Sequence, residues 1–573
     1  MNVELNDKKP RLVKTSQGFS FFNIQYQNRL LYSKYNPLRS LEKLLENMDI
    51  MENTLLVIFS PGLFYGIDLI KNKIKDRQNI FTAYIELDRN LYDFSKDYIS
   101  ENPELKENVN PEHFYSCDDL EKLDSYVRKL CENGRLRRCV PLELSAGSFF
   151  SKETMPYVLN AITEIISVWW KNRITLQKMG RLFSKNIFRN IPLLKESLFL
   201  DDVSGTVDKT IIVCGAGESL DSVFKKPFSN RDDFYILAVD AAASNLISKG
   251  IIPDGIAALE SQLAIEKCYI GLESFLENKN VSFFADISSR TQTALHFKNR
   301  IFFATEFYEC SFLKTLKEQK IIPSFIQPLG SVGLAAFYIA TVLRKNSGVK
   351  IYVCGLDFSY SAGITHADNT SSRNFMRISS SRKKPVENFD GAFNSYAVKL
   401  QDVNGKTVYS TPALLQYRQN FCQLFSSTEN AFNAADSGLN LELKQETPNF
   451  KDSLDCSSKE TVPQKSDGFF KQIKTLKEKS ICGKKEKIHS YLQTELSALQ
   501  KLKDLLEKGE NSPYFEKDRK LSLQIKELAL PREYLYFHFP DGWEYRENLD
   551  FLKRIKAETI YFIKIISTCT KGF

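Results

Sequence analysis

The stretch Thr210 to Leu220, TIIVCGAGESL, constrains the fold more than any other part of this 573-residue chain. Ile211 to Cys214 form an unbroken apolar run that ends at Gly215, the pattern of a strand buried on both faces. Such strands belong to parallel sheets covered by helices. Gly215 and Gly217 let the backbone turn tightly and approach a ligand with no Cβ in the way. Ser219 and Leu220 open the next element, so free N–H groups at a helix start are expected to face whatever lies over the loop. That is an anion-binding geometry, although a plain tight turn satisfies the same pattern. The spacing is GxGxS rather than the GxGxxG of dinucleotide sites.

The length predicts two to four domains with ample apolar material for cores. Hydrophobic and charged contents of 43% and 26% are ordinary for a soluble protein, and a net charge of +8 spread over this length gives no sign of nucleic acid as a partner. The 11 cysteines show neither a CxxC pair nor Cys/His ligand spacing, which argues against structural zinc and against a disulfide framework. The N-terminus MNVELNDKKPRL has no apolar signal core, and no run of about 18 apolar residues could span a bilayer. A cytoplasmic protein with no membrane span is expected.

After a polar lead-in over residues 1–30, residues 55–59 and 80–87 read as buried strands flanked by helical segments, with a Pro61-Gly62 turn between them. Alternating strand and helix signals imply a parallel sheet with crossover helices, so residues 1–150 are expected to form a small α/β domain. From Thr154, apolar residues recur at helical spacing through KNRITLQKMGRLFSKNIFRNIPLL, predicting one or two long helices as a connector over 151–204. Trp169 and Trp170 read as packing residues.

The chemistry concentrates in residues 205–445. Strands are expected near 235–239, 255–259, 281–285, 301–304 and 350–354. Asp240, Glu260 and Asp357 then fall at strand C-terminal ends, the edge where open α/β sheets bind ligands. Gly330 and Ser331 precede the apolar helical stretch VGLAAFYIATVL and offer a second helix start able to face an anion. His366 lies in the loop after the last of these strands, beside carboxylates, where an imidazole could transfer a proton at neutral pH. Arg373, Arg377, Arg382, Lys383 and Lys384 follow with no acid between Asp368 and Glu387. They read either as a solvated surface or as a lid that clamps an anionic donor, with Arg373 and Arg377 its candidate residues. A polar, breaker-rich linker over 446–468 and a helical C-terminal domain over 469–573 complete the chain. The lysines around 471–487 read as a solvated helix face.

Taken together, GAGESL, VDAAASNLISKGIIPD, PLGSVGLAAFYIAT, CGLDFSYSAGITHAD and FNAADSGLNLE make the chain resemble the motility-associated-factor (Maf) flagellin glycosyltransferases over about residues 25–445. The core is also similar to archaeal 6-hydroxymethylpterin diphosphokinase-like proteins and to bacterial sialyltransferases. The resemblance implies a Rossmann-like parallel sheet between a smaller α/β domain and a helical C-terminal domain. It implies transfer of a nonulosonic acid, of pseudaminic or legionaminic type, from a CMP-activated donor to Ser or Thr of flagellin. Gly215, Gly217 and Ser219 would then hold the phosphate and ribose, Asp240 and Glu260 would line the nucleotide cleft, and Gly330 and Ser331 would complete it. His366 would be the acid/base, with Asp357 beside it. No cofactor beyond the CMP-sugar substrate is implied, no DxD pair suggests a metal, and the need for one stays open. Two positions depart from the pattern: Glu218 stands inside the glycine loop, where its carboxylate is expected to point outward, and Glu260 stands where Asp is usual. Two other readings remain: an ATP-dependent pterin diphosphokinase-like enzyme, and a non-catalytic flagellar assembly factor.

Overall fold

The computed structural model describes residues 9–14, 21–132, 134–225, 228–272, 276, 280–306, 310–383, 385, 387, 397–451, 467–480, 483–510 and 518–571. Most of the expected linker and Lys384 lie outside the described residues. The chain divides into two compact units, one of residues 1–178 with 539–544 and one of residues 179–538 with 545–573.

In the larger unit, ten described strands form one sheet, every neighbouring pair parallel. They are β1 (Leu198–Phe199), β2 (Thr210–Cys214), β3 (Phe234–Val239), β4 (Gly255–Ala258), β5 (Ser282–Asp286), β6 (Asn299–Thr305), β7 (Phe325–Ile326), β8 (Ile351–Cys354), β9 (Ala431–Asn433) and β10 (Lys444–Gln445). The order is β7-β6-β5-β4-β3-β2-β8-β9-β10, with β1 also paired to β6. The chain thus winds outward from β2 in one direction and, from β8, in the other. The order reverses between β2 and β8, and a crevice outside the carboxyl ends of such a pair is where open α/β sheets place their ligands.

The central strands are apolar because both faces are covered. Ile211, Ile212, Val213, Ile236, Leu237, Ile351 and Val353 are buried, and the helix Val332–Leu343 packs over β2 and β3. The α/β expectation holds, with a large parallel sheet and helices at the C-terminus. The C-terminal helices are Asp467–Ser480, Lys484–Glu510, Arg519–Ala529 and Leu549–Lys571. The lysine-rich stretch there is not simply solvated: Lys477 Nζ donates to the Lys298 carbonyl at 2.8 Å and Lys484 Nζ to the Ser197 carbonyl at 3.2 Å.

The smaller unit holds a four-stranded parallel sheet ordered Phe114–Tyr115, Ile80–Ile85, Thr54–Phe59, Arg138–Glu143. Residues 1–30 are more than a lead-in. Arg11–Lys14, Phe22–Tyr26 and Arg29–Leu30 form a three-stranded antiparallel sheet. The tight turn between its last two strands is made by Gln27 and Asn28, both at positive φ. The connector is a single helix, Met155–Asn190, whose last turns belong to the larger unit. In the smaller unit Trp170 Nε1 donates to the Leu136 carbonyl at 2.7 Å. Among the described residues no helix is long and apolar enough to cross a membrane.

Candidate functional site

Glycine is required at the switch by close approach. A Cβ on Gly215 would overlap the Gly355 carbonyl and the Leu356 side chain, and one on Gly217 would stand 2.5 Å from Asp357 Oδ2. Leu356 also fills the space a Cβ on Gly333 would take, so the loops after β2 and β8 and the first turn of the helix Val332–Leu343 meet at one point. Ser331 caps that helix, its hydroxyl accepting the Gly333 N–H at 3.3 Å, and Gly330 turns into it at a φ of +72°.

The sequence leads one to expect free N–H groups in the glycine loop, but several are already engaged. Gly217 N–H donates to the Gly355 carbonyl at 2.8 Å. Ser219 N–H donates to Asp357 Oδ2 at 2.9 Å, and the Ser219 hydroxyl donates to Asp357 Oδ1 while accepting the Gly355 N–H at 2.9 Å. Both side chains are buried. Asp357 therefore occupies the position at Ser219 where an outside anion was expected. Burial lifts its carboxyl to about 6, against the two Ser219 hydrogen bonds, which lower it.

Asp240 follows β3 directly and is 4% exposed. Its carboxylate accepts only the adjacent Ala241 N–H, at 2.7 Å, among the bonds described. Burial, reinforced by the charge of Glu260, pushes it up to about 7. Glu260, after β4, is half-buried and accepts the Gln262 N–H at 2.9 Å. Glu218 is 31% exposed and lies 4.0 Å from Lys406 Nζ.

The loop carrying His366 is tied to the switch, since Ala367 N–H donates to the Ala216 carbonyl at 2.9 Å. Asp221, which sequence reading passed over, fixes the same loop: it accepts the Asp368 N–H at 2.7 Å and Lys249 Nζ at 2.6 Å. The His366 ring is half-buried, with Nδ1 3.0 Å from Thr365 Oγ1. Burial first, and then the Arg373 guanidinium, hold its pKa below the ordinary imidazole value. Arg373 and Arg377 sit on the helix Ser371–Ile378 and are already paired. Arg373 contacts Asp368 at 2.5 Å and Glu387 at 3.0 Å, and Arg377 contacts the same two carboxylates at 3.0 and 2.6 Å. Gly215, Gly217, Ser219, Gly330, Ser331 and Asp357 thus gather at the switch. The His366 loop is tied to it through backbone, while the ring itself meets Thr365, Arg373 and Glu387 and not Asp357. Asp240 and Glu260 follow successive strands beside the switch, and the two arginines belong to the network next to His366. Among the described residues no three His, Cys, Asp or Glu side chains form a metal-binding group.

Residues 185–363 match the family model described as 6-hydroxymethylpterin diphosphokinase MptE-like. The structure of the MAf glycosyltransferase from Magnetospirillum magneticum AMB-1 aligns with a TM-score of 0.54 over 99% of this chain and 92% of that one. The chain carries an MptE-like domain in a Maf-type fold. Sequence identity to the Magnetospirillum protein is 13%, so that likeness is one of fold. An uncharacterised protein of Treponema pallidum (strain Nichols) is 28% identical, over 97% of this chain and 95% of the relative. The MptE-like domain includes every switch residue named above, and His366 lies just past its last matched position.

Proposed function

We propose that this chain is a glycosyltransferase that moves a nonulosonic acid from a CMP-activated donor to Ser or Thr hydroxyls of flagellin. The observation that carries the reading is the β2/β8 switch, where two glycine turns, a helix start and the His366 loop converge in a Maf-type fold. In this reading Gly215 and Gly217 let the loops after β2 and β8 close on each other and so shape the wall against which the donor phosphate rests. Ser219 and Asp357, bonded to each other, position that loop and do not touch the donor. Asp240 and Glu260 line the nucleotide cleft, and Gly330 and Ser331 close it.

The reaction forms a bond from the acceptor oxygen to the anomeric carbon while the bond from that carbon to the phosphate oxygen breaks, and CMP leaves with the electron pair. The hydroxyl proton passes to His366. With its pKa below the usual value, the imidazole is neutral at pH 7 and able to accept it. Charge developing on CMP is met by backbone N–H groups of the switch loops that are not bonded within them.

A second reading, an ATP-dependent pterin diphosphokinase-like enzyme, is favoured by the description of the matching family model. Thermal shift and calorimetry with CMP, CTP and ATP separate the two. Stabilisation by the cytidine nucleotides and not by ATP supports the transferase; ATP preference replaces it with the kinase reading, and no nucleotide binding leaves a non-catalytic assembly factor.

A further inference from the structure

Away from the switch, the carboxyl ends of β4 and β5 are clasped by the last turns of the helix Met155–Asn190. Asn186 Nδ2 donates to the Ser261 and Ser288 carbonyls, both at 3.0 Å, and Asn190 Nδ2 to the Ile287 and Ser289 carbonyls at 2.8 and 2.9 Å. These four bonds fix which side of the helix faces the sheet edge. Arg181, Lys185 and Arg189 recur every fourth residue on the same turns and so lie in one row, and Arg290 joins them from the loop after β5.

Four cations are drawn together here with two carboxylates. Arg181 pairs with Glu558 at 2.8 Å and Arg290 with Glu266 at 2.7 Å. Among the described residues neither Lys185 nor Arg189 has a carboxylate partner. Arg189 and Arg290 line a cleft of about 330 Å³ together with Asn186, Thr291 and Gln292. The Thr291 hydroxyl is inaccessible and has no hydrogen-bond partner among the described residues. Burial, and then the charges of Arg189, Arg290 and Arg181, push the Lys185 ammonium down. Like charges crowded in a partly buried site destabilise the fold unless an anion joins them.

We propose that this cleft is a second anion-binding site, taking the carboxylate or phosphate of a sugar-sized ligand. Its volume is at the low end for small-molecule sites. It stands two to three strands from β2, on the order of 10–14 Å at the usual strand spacing, apart from the glycine turns and next to Glu260, whose carbonyl accepts the Arg290 N–H at 3.0 Å. It does not depend on the transferase reading.

The test is isothermal calorimetry on the full chain at constant ionic strength, with inorganic phosphate, N-acetylneuraminic acid and neutral glucose as probes. Phosphate or the sugar acid is expected to bind and glucose not to, and which of the two binds tells phosphate from carboxylate. Arg189→Gln, at an exposed position that lines the cleft, is expected to weaken binding roughly 10-fold or more, the scale of a charge-assisted hydrogen bond, and Lys185→Gln, beside the cleft and not in its lining, is expected to weaken it less, by the loss of one neighbouring charge. Lys185→Gln should also raise the melting temperature without ligand, which shows that the variant is folded. Wild-type affinity in both variants, or no binding of either anion above glucose, overturns the proposal.

Discussion

Asp240→Asn replaces a buried carboxylate with a neutral group of the same shape. The carboxyl sits at 4% exposure with one backbone N–H as partner, and burial with the Glu260 charge raises it from 3.8 to about 7. At about 1.36 kcal/mol per pH unit, holding it ionised costs the fold about 4 kcal/mol at pH 8. The folded state binds the proton more tightly than the unfolded chain does. The cost is therefore absent below pH 4, grows as pH rises from 4 to 7, and is complete above 7. Asparagine keeps an acceptor for Ala241 N–H and escapes this cost. Melting curves from pH 5 to pH 8 should show Asp240→Asn more stable than wild type at pH 8, with the advantage narrowing by about 2–3 kcal/mol at pH 5. The same variant should lose nucleotide affinity, since a destabilising carboxylate kept at a ligand edge fits the trade of stability for function. A stability difference that does not change with pH, or one that widens toward acid, refutes this account of Asp240.

Three other substitutions probe different parts of the account. Gly215→Ala, whose Cβ meets the Gly355 backbone, should cost about 1–3 kcal/mol or more because backbone cannot yield as a side chain can; unchanged melting would show that the two loops are not in contact. His366→Gln should remove transfer while leaving CMP affinity intact. In wild type kcat/KM should rise with pH through an inflection below about 6.5 and then level, whereas an inflection above 7 would exclude His366 as the base. Arg231→Met strips Asp254 of a guanidinium at 2.7 Å in a pair that is 11% and 5% exposed. Breaking a buried pair of this kind costs about 3–5 kcal/mol, read by chemical denaturation, and a loss below about 1 kcal/mol, the range of an exposed pair, would contradict it.

The parallel core was legible because strands buried on both faces leave a plain mark: Ile211–Cys214 and the strands at 234–239 and 351–354 are almost wholly apolar. The strand Arg138–Glu143 escaped notice because it lies at a sheet edge, where Pro141 and flanking charges are tolerated. The hairpin Val398–Gln401 with Thr407–Ser410 had a usable signal, the Asn404-Gly405 turn between two short β-prone runs. In the site, the glycine loop could be read from spacing, since close approach demands glycine. The bond between Ser219 and Asp357 spans 138 residues, and local pattern says nothing about such a partner. Arg373 and Arg377 looked unpaired because their second carboxylate, Glu387, follows 14 and 10 residues later. Asn186 and Asn190 carried a signal that was missed: amides four residues apart on a buried helix need partners.

The central claim is tested most directly by intact-mass analysis of flagellin incubated with the purified chain and a CMP-nonulosonate, with CMP release followed in the same mixture. The account predicts flagellin heavier by whole nonulosonate residues, one CMP released for each, and neither change with His366→Gln. Flagellin of unchanged mass in the presence of folded, CMP-binding protein would contradict it.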